Sequence, residues 1–309
     1  MQNAKCKISH RKCAVKAKAI LRSVCCSNTK QTLPTDGLSR LSGIKLIKSN
    51  VNCLYKLTCC INYFAFCTLH FAFRKVVFSL SIFALGDTHL SFGTDKPMDI
   101  FGGWSDYVSR IEKNWKAVVG EDDTVVVPGD ISWAMSLEGS REDFKFLHSL
   151  PGKKIIMKGN HDYWWTTKRK MDNFLTDNGF DSILILHNNA FKVGDFVITG
   201  SRGWFYDAQT GADKKVILRE AERLRRSIEY GKEMEGEIIA FLHYPPVMGM
   251  QKCEEIFSVL TEYNIKRCFF GHLHGEVARN YVPECVESVK LDLVSADFLG
   301  FCPKLIEKI

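Results

Sequence analysis

Acidic residues are nearly absent from the first quarter of this 309-residue chain. Residues 1–76 contain 14 Lys and Arg but a single acid, Asp36, whereas residues 77–309 contain 28 Lys and Arg and 34 acids. The overall net charge of +7 therefore arises in the N-terminal quarter. The remainder lacks the basic stripe typical of proteins that bind nucleic acid along a surface. We expect no clear nucleic-acid surface in this part of the chain.

Paired CxxC motifs with zinc-finger spacing are also missing, although the chain contains 12 cysteines. Eight of them precede residue 70, and the other four are scattered singly. A disulfide framework requires an oxidising compartment, and no cleavable signal peptide is recognisable at the start of the chain. We therefore expect reduced thiols and a cytoplasmic protein.

No clear membrane-spanning run is present. The candidate, residues 57–73, has only 17 residues and contains interrupting polar side chains, whereas a transmembrane helix needs about 20 apolar residues. Residues 1–50 show no sustained helical or strand periodicity, which indicates disorder or loose structure. Three interpretations of residues 1–75 stay open: a disordered, basic, Cys-rich extension, a weak membrane anchor through 57–73, or sequence in front of the true start of the protein.

From Val76 onwards, short apolar segments alternate with segments of helical periodicity. The predicted strands are 76–85, 124–128, 153–158, 182–186, 237–242, 266–270 and 289–295, with a hairpin over 191–199. The predicted helices are 101–119, 138–150, 166–177, 213–230 and 253–263. This alternation is typical of an α/β domain. We therefore predict a single α/β domain over residues 76–309.

Polar residues that bind metals follow five of the predicted strands. They are Asp87, Asp130, Asn160, His243 and His272. Because ligands gather at the carboxyl ends of strands in α/β sheets, we expect these side chains to converge. Carboxylate, amide and imidazole groups bind divalent cations, and one carboxylate can bridge two of them. Two such cations activate water and neutralise phosphoryl oxygens, so the pattern indicates hydrolysis of phosphate esters.

The order of the motifs points to a family. Across the chain the pattern D-x-H, G-D, G-N-H-D, H and G-H-x-H is complete between Asp87 and His274. This set resembles the calcineurin-like metallophosphoesterase superfamily, and the surrounding sequence is similar to uncharacterised bacterial phosphohydrolases. The resemblance covers residues 76–309. It implies a four-layer α-β-β-α sandwich of two mixed sheets flanked by helices, with two divalent metal ions (Mn, Fe or Zn).

The resemblance also implies a role for each motif residue. The ligands of one ion would be Asp87, His89 and His274, and those of the other would be Asn160, His243 and His272. Asp130 would bridge the two ions. His161 would face the substrate and act on its phosphoryl or leaving oxygen, while Asp162 would orient His161. Asp87 and His89 can share one ion only if the loop after Gly86 curls.

Three residues near the motifs are candidates for substrate contacts. Trp133 and Trp164 could stack on a base or another ring, or they could pack against the sheet. Arg202 could bind a phosphate in bidentate fashion, or it could be ion-paired. The sequence predicts hydrolysis of a phosphomonoester or phosphodiester. The alternatives are a catalytically silent metal-binding scaffold of the same fold and a nuclease of the superfamily.

Overall fold

The computed structural model describes residues 80–204 and 211–309 of the chain. The predictions for the N-terminal extension 1–75, including the apolar run 57–73, lie outside these residues and stay predictions. In the described ranges, no helix combines the length and the apolar character needed to cross a membrane.

The first sheet contains five strands, of which four are parallel. The parallel strands, in spatial order, are β1 (Ser81–Ala84), β2 (Thr124–Val127), β3 (Lys153–Ile156) and β4 (Ile183–Ile185). The last strand of the chain, β13 (Lys304–Lys308), pairs antiparallel with the outer side of β1. Three helices connect the parallel strands: α1 (Tyr107–Val118), α2 (Arg141–Ser149) and α3 (Lys168–Asp177).

The second sheet contains six strands. In spatial order they are β11 (Cys285–Val286), β12 (Val289–Leu293), β10 (Arg267–Phe270), β7 (Glu237–Leu242), β6 (Phe196–Ser201) and β5 (Phe191–Val193). The inner four are parallel, and the two edge strands are antiparallel to their neighbours. The other elements of this half are helices α4 (Gly211–Lys232) and α5 (Glu254–Glu262), the hairpin of β8 (Val247–Met248) and β9 (Gln251–Lys252), and a 3₁₀ helix (Glu276–Tyr281).

The alternation of side chains along the strands explains the layers. In β2, Val126 belongs to a core that also contains Phe241 of β7, so this core lies between the sheets. Val125 and Val127 point the other way and pack in a cluster with residues of α1, α2 and α3. Because both faces of each sheet are covered, central strands such as β2 and β7 are apolar at all but their first position. The predicted four-layer α-β-β-α sandwich is confirmed.

The sequence missed the elements with weak patterns. Strand β13 has five residues, most of them only half-buried, and therefore carries no apolar alternation. Strands β8, β9 and β11 have two residues each, too few for any periodicity. The helix predicted from residue 101 begins only at Tyr107, because turns occupy the residues before it.

The two sheets are joined at the edge where their parallel strands end. The main chain of Gly86, after β1, donates its N–H to the carbonyl of Val294 at 2.7 Å and accepts one from Ala296 at 2.9 Å. Gly86 and Ser295 form an isolated parallel bridge. The carboxyl ends of β1, β2 and β3 therefore lie beside those of β7, β10 and β12, and the motif loops follow these ends.

Candidate metal centre

The loop after β1 curls in the way that shared ligation requires. Asp87 and His89 both adopt the left-handed region, with φ of 56° and 45°. The main-chain N–H of Asp87 donates to the main-chain carbonyl of Gly129 (3.0 Å), and the N–H of His89 donates to the main-chain carbonyl of Asp130 (2.9 Å). As a result, the ligand atoms of Asp87, His89 and His274 lie within 4.8 Å of one another. This is the group predicted to hold one metal ion.

Other motif residues also have strained backbone. Asp130 and His272 have φ of 51° and 71°, a region that Asp and His visit more readily than most residues. Such strain concentrates at functional sites. Gly159 and Gly271 have a different requirement, because a Cβ there would overlap the carboxylates of Asp130 and Asp87 respectively. The glycines of these motifs allow the loops to approach the carboxylates.

The remaining predicted ligands meet on the other side of the two carboxylates. Asp87, Asp130 and His243 form a second group whose ligand atoms lie within 4.8 Å. The Asn160 side-chain oxygen lies 2.6 Å from Nε2 of His243 and 2.9 Å from Nδ1 of His272. The structure therefore brings all seven predicted ligands into one cluster. Asp87 belongs both to the set with His89 and His274 and to the set with Asp130 and His243.

Two hydrogen-bond acceptors, on His243 and Asn160, face each other in this cluster, and this arrangement suits a bound cation. Nδ1 of His243 lies 3.0 Å from the main-chain carbonyl of Pro128 and donates its proton there, so Nε2 carries the lone pair. That lone pair faces the acceptor oxygen of Asn160. Burial lowers the pKa of His243 and of His272 to about 3, so neither ring is protonated at neutral pH. A divalent cation among these atoms would satisfy them all.

His274 also directs Nε2 into the cluster. Its Nδ1 donates to Asp297 Oδ1 at 3.0 Å, which turns Nε2 toward His89 Nε2 at 3.4 Å and Asp87 Oδ1 at 3.8 Å. Burial alone lowers the pKa of His274, but the hydrogen bond to Asp297 and the nearby Asp87 raise it to about 9. Burial raises the pKa of Asp87 above its usual range. The cluster therefore attracts positive charge.

Asp297 was not identified from the sequence. Besides its bond to His274, it accepts the main-chain N–H of Gly275 at 2.7 Å, so it fixes both the ring and the loop that carries the ring. Carboxylates that orient ligating histidines in this way are common in metal sites. The signal that could have revealed it is its place shortly after β12, at the same edge as the motif residues.

Comparisons with known proteins agree with this geometry. A family model described as calcineurin-like phosphoesterase matches residues 80–276. The chain belongs to the calcineurin-like phosphoesterase family. Family membership and the buried Asp/His cluster together support a metal-dependent phosphoesterase and a hydrolase.

Individual proteins match this chain over a short segment or at low sequence identity. Over 54 residues it is 41% identical to the Gene 66 protein of Mycobacterium phage L5, an alignment that covers 18% of this chain and about a quarter (26%) of that curated relative. A protein of unknown function, AQ665 from Aquifex aeolicus, is similar in structure at 14% identity, covering 73% of this chain and 95% of that one, with a TM-score of 0.40. For the phosphopantetheinyl hydrolase of Mycobacterium tuberculosis the identity is 15%, the coverages are 74% and 96%, and the TM-score is 0.42.

His161 lies beside the cluster and is partly exposed. Its main-chain N–H donates to Asp130 Oδ1 at 2.8 Å, and its ring centroid lies 5.8 Å from that of His89. The ring is bounded by Trp133, at 4.4 Å between centroids, and by the hydroxyl of Tyr163, 3.5 Å from Nδ1. This position suits a group that faces the substrate, and the catalytic role of His161 stays a prediction.

The structure corrects the role predicted for Asp162. This carboxylate is completely buried, and its two oxygens accept five N–H groups. The donors are the main chains of Gly159, Asp130, Ile131 and Ser132 and the indole of Trp164, at 2.7–3.3 Å. The His161 ring is not among its partners in the described part of the chain. Asp162 therefore holds the loop that carries Asp130 against Gly159, and affects His161 only through the backbone.

For two of the three candidate substrate contacts, the structure favours the alternative that the sequence left open. Trp164 is 2% exposed and packs edge-on against Phe144 in the core beneath the helices, so it cannot reach a substrate. Arg202 directs its guanidinium at the buried Glu220 (3.3 Å) rather than into the metal cluster. Trp133 does line the site, because its ring stacks on His89 at 4.9 Å and lies under the ammonium group of Lys96. Its contact with substrate stays a prediction.

Proposed function

We propose that this phosphoesterase hydrolyses a phosphomonoester or phosphodiester with two divalent metal ions held side by side. The observation that carries the proposal is the contact of acceptor with acceptor in a buried cluster. Nε2 of His243 faces the Asn160 oxygen at 2.6 Å, and this pair lies next to Asp130, whose Oδ2 is 3.6 Å from the same nitrogen. A cation bound by both of these partly buried atoms would stabilise this contact between two acceptors.

The two sets of ligands define two positions. His89 and His274 lie on one side of the carboxylates, and Asn160, His243 and His272 lie on the other. Asp130 lies near both sets of ligands, since its Oδ2 is 3.8 Å from Nε2 of His89 and 3.6 Å from Nε2 of His243. Asp130 is therefore the expected bridge. When bound, the ions would supply an activated water and neutralise the charge of the phosphoryl group.

The side chains around the ions would shield the ligands from water and transfer a proton. Trp133 and Trp104, whose rings lie 4.9 Å and 5.7 Å from that of His89, shield this ligand from water. Burial lowers the pKa of His161, so at neutral pH the ring is uncharged and can donate one N–H to a phosphoryl oxygen. The arrival of an anionic substrate favours protonation of the ring, which then delivers a proton to the leaving oxygen.

Metal content and turnover test the proposal together. We expect the full chain, purified without chelator or reconstituted with Mn²⁺, to hold about two ions and to hydrolyse 4-nitrophenyl phosphate or bis(4-nitrophenyl) phosphate. His161→Ala should keep both ions and lose about 10²–10⁴-fold in kcat, whereas Asp130→Asn should lose metal as well as turnover. His148→Ala is the matched control. His148 lies near the end of α2 and bonds to Ser182, so its replacement should change neither metal content nor turnover.

Four results would contradict the proposal or a role assigned within it. A chain that binds no metal after reconstitution would exclude the centre. A chain that binds two ions and hydrolyses neither ester would favour the silent scaffold, and turnover of DNA or RNA in preference to both small esters would favour the nuclease. Loss of metal from His161→Ala would make this residue a ligand instead.

A further inference from the structure

The histidines of the candidate metal centre are oriented in two different ways. His243 and His274 each donate Nδ1–H to an acceptor, a main-chain carbonyl at 3.0 Å and Asp297 Oδ1 at 3.0 Å respectively. Such hydrogen bonds are the usual means by which a protein fixes a ligating imidazole. His89 and His272 have no corresponding acceptor among the described residues. A different kind of contact therefore has to orient these two rings.

The main chain of His272 is fixed, but its ring is not fixed by hydrogen bonds. Its main-chain N–H donates to both carboxylate oxygens of Asp87, at 3.0 and 3.1 Å. In the ring, Nδ1 faces the Asn160 oxygen at 2.9 Å, and Nε2 has no hydrogen-bond partner within residues 80–204 and 211–309. The torsion that turns an imidazole about Cβ–Cγ has broad minima. Without a further contact, the ring could turn Nδ1 away from Asn160.

The ring of Tyr244 supplies such a contact. Its centroid lies 4.3 Å from that of His272, with 46° between the ring planes. It also lies edge-on to the ring of His243, at 5.2 Å between centroids. Tyr244 therefore touches both histidines that would hold the second ion together with Asn160. The first ion has other aromatic neighbours, because Trp133 stacks on its ligand His89.

A chain of contacts holds Tyr244 in turn. Its main-chain N–H donates to the carbonyl of Arg202 at 2.9 Å. Its ring contacts Trp204 at 5.2 Å between centroids, and the guanidinium of Arg202 lies 4.6 Å from the centroid of the same indole. The completely buried Glu220 of α4 anchors that guanidinium at 3.3 Å. These contacts connect α4 to the ring of His272.

We propose that Tyr244 is a positioning residue for the second metal ion, because its ring fixes the orientation of His272. The inference rests on the proposed function, since it requires an ion held by Asn160, His243 and His272. The residues that hold Tyr244 act through it. Loss of the Tyr244 ring should therefore weaken the binding of one ion and leave the ion at His89 unchanged.

Mn²⁺ titration of the full chain, freed of metal by a chelator, measures the affinity of each ion by calorimetry. His272→Ala identifies which affinity belongs to the second ion. In Tyr244→Leu we expect this affinity to fall about 3–10-fold, the effect of one lost aromatic pair, while the other affinity is unchanged. Tyr244→Phe keeps the ring and should restore the wild-type affinity.

Tyr230→Leu is the matched control. Tyr230 is a half-exposed residue of α4. Because surface substitutions have small effects, both affinities should change by less than about twofold. Trp204→Leu extends the test by one contact: it removes the ring beside Tyr244 and should weaken the same ion by a smaller factor.

Electron paramagnetic resonance adds a readout that does not depend on fitted affinities. Two Mn²⁺ ions that share a carboxylate couple magnetically, whereas a lone Mn²⁺ does not. With just enough Mn²⁺ to fill both positions, Tyr244→Leu should therefore show more uncoupled Mn²⁺ than the wild type. Tyr244→Phe should show the wild-type spectrum.

Equal weakening of both ions in Tyr244→Leu would overturn the inference, because a general loss of structure affects both positions. An unchanged second ion would also overturn it, as would equal losses in Tyr244→Phe and Tyr244→Leu, which would assign the effect to the hydroxyl. If Tyr244→Leu does not fold, Trp204→Leu decides by the same criteria.

The proposed function can fail separately. A wild type that binds only one ion would contradict both the two-ion centre and the role of Tyr244. A wild type that binds two ions and hydrolyses the 4-nitrophenyl esters would support the proposed function whatever the Tyr244 variants show. Selective loss of the second ion in Tyr244→Leu, in a chain without turnover, would support the positioning role and contradict the proposed hydrolysis.

Discussion

Replacement of Asp162 by Asn distinguishes the structural role of this residue from the role that the sequence predicted. Oδ2 accepts N–H groups from Gly159 (2.7 Å) and Asp130 (2.9 Å), and Oδ1 accepts three, from Ile131, Ser132 and Trp164. An amide has only one oxygen, so at least two of these five donors lose their acceptor and face an NH₂ group instead.

The magnitude follows from the number of lost bonds. Hydrogen bonds to charged groups contribute about 1.5–3 kcal/mol each, so two lost bonds cost about 3–6 kcal/mol. Removal of a buried charge offsets part of this, because burial raises the pKa of Asp162 and thereby disfavours its charged form. We expect a net loss of about 2–4 kcal/mol, a large share of the roughly 5–15 kcal/mol that stabilises a typical domain.

Urea unfolding of the wild type and the variant, followed by tryptophan fluorescence, measures this loss, and elemental analysis measures the metals. Because Asp162 holds the loop of Asp130, metal content should fall together with stability. Asp172→Asn is the control, since Asp172 is a half-exposed partner of Lys168 on α3 and should change stability by less than about 0.5 kcal/mol. An Asp162→Asn variant with wild-type stability and metals but reduced turnover would refute this reasoning and restore the direct action on His161.

Two further predictions concern residues that the sequence did not single out. Asp297→Ala should weaken metal binding about 10–100-fold, because the variant lacks the oxygen that accepts Nδ1–H of His274 (3.0 Å), and Mn²⁺ titration measures the change. Asp292→Ala, which removes ion pairs with Lys304 and Lys290, is the control, and equal affinities in both variants would contradict the assignment. Lys154 is buried with its ammonium group on the carbonyls of Leu150 (2.6 Å) and Gly152 (2.8 Å), and burial lowers its pKa to about 8. The folded state therefore binds this proton less tightly than the unfolded state, so the wild type should gain stability relative to Lys154→Met, by about 2 kcal/mol, between pH 8 and pH 10.5. Urea unfolding at several pH values measures this difference, and a constant difference would show that Lys154 has an ordinary pKa in the fold.

The sequence pattern was sufficient for the α/β class and for the residues of the cluster, and the family resemblance added the four layers. Apolar strands such as Glu237–Leu242 were predictable because burial on both faces demands uninterrupted apolar residues. The positions of Asp87, Asp130, Asn160 and the histidines at strand ends were enough to predict convergence, because parallel strands end at one edge. The edge strand Lys304–Lys308 was not predictable, since its half-exposed residues carry no period.

What each polar residue contacts was decided only by the tertiary structure. Asp162 and Asp297 are both aspartates near strand ends, yet one binds five N–H donors of the loops around Asp130 and the other binds His274. Likewise, Trp133 lines the site and Trp164 lies in the core. Local sequence sets the type of chemistry a residue offers. Its partner is set by how far each loop curls and which loops meet, and both depend on contacts between residues distant in the chain.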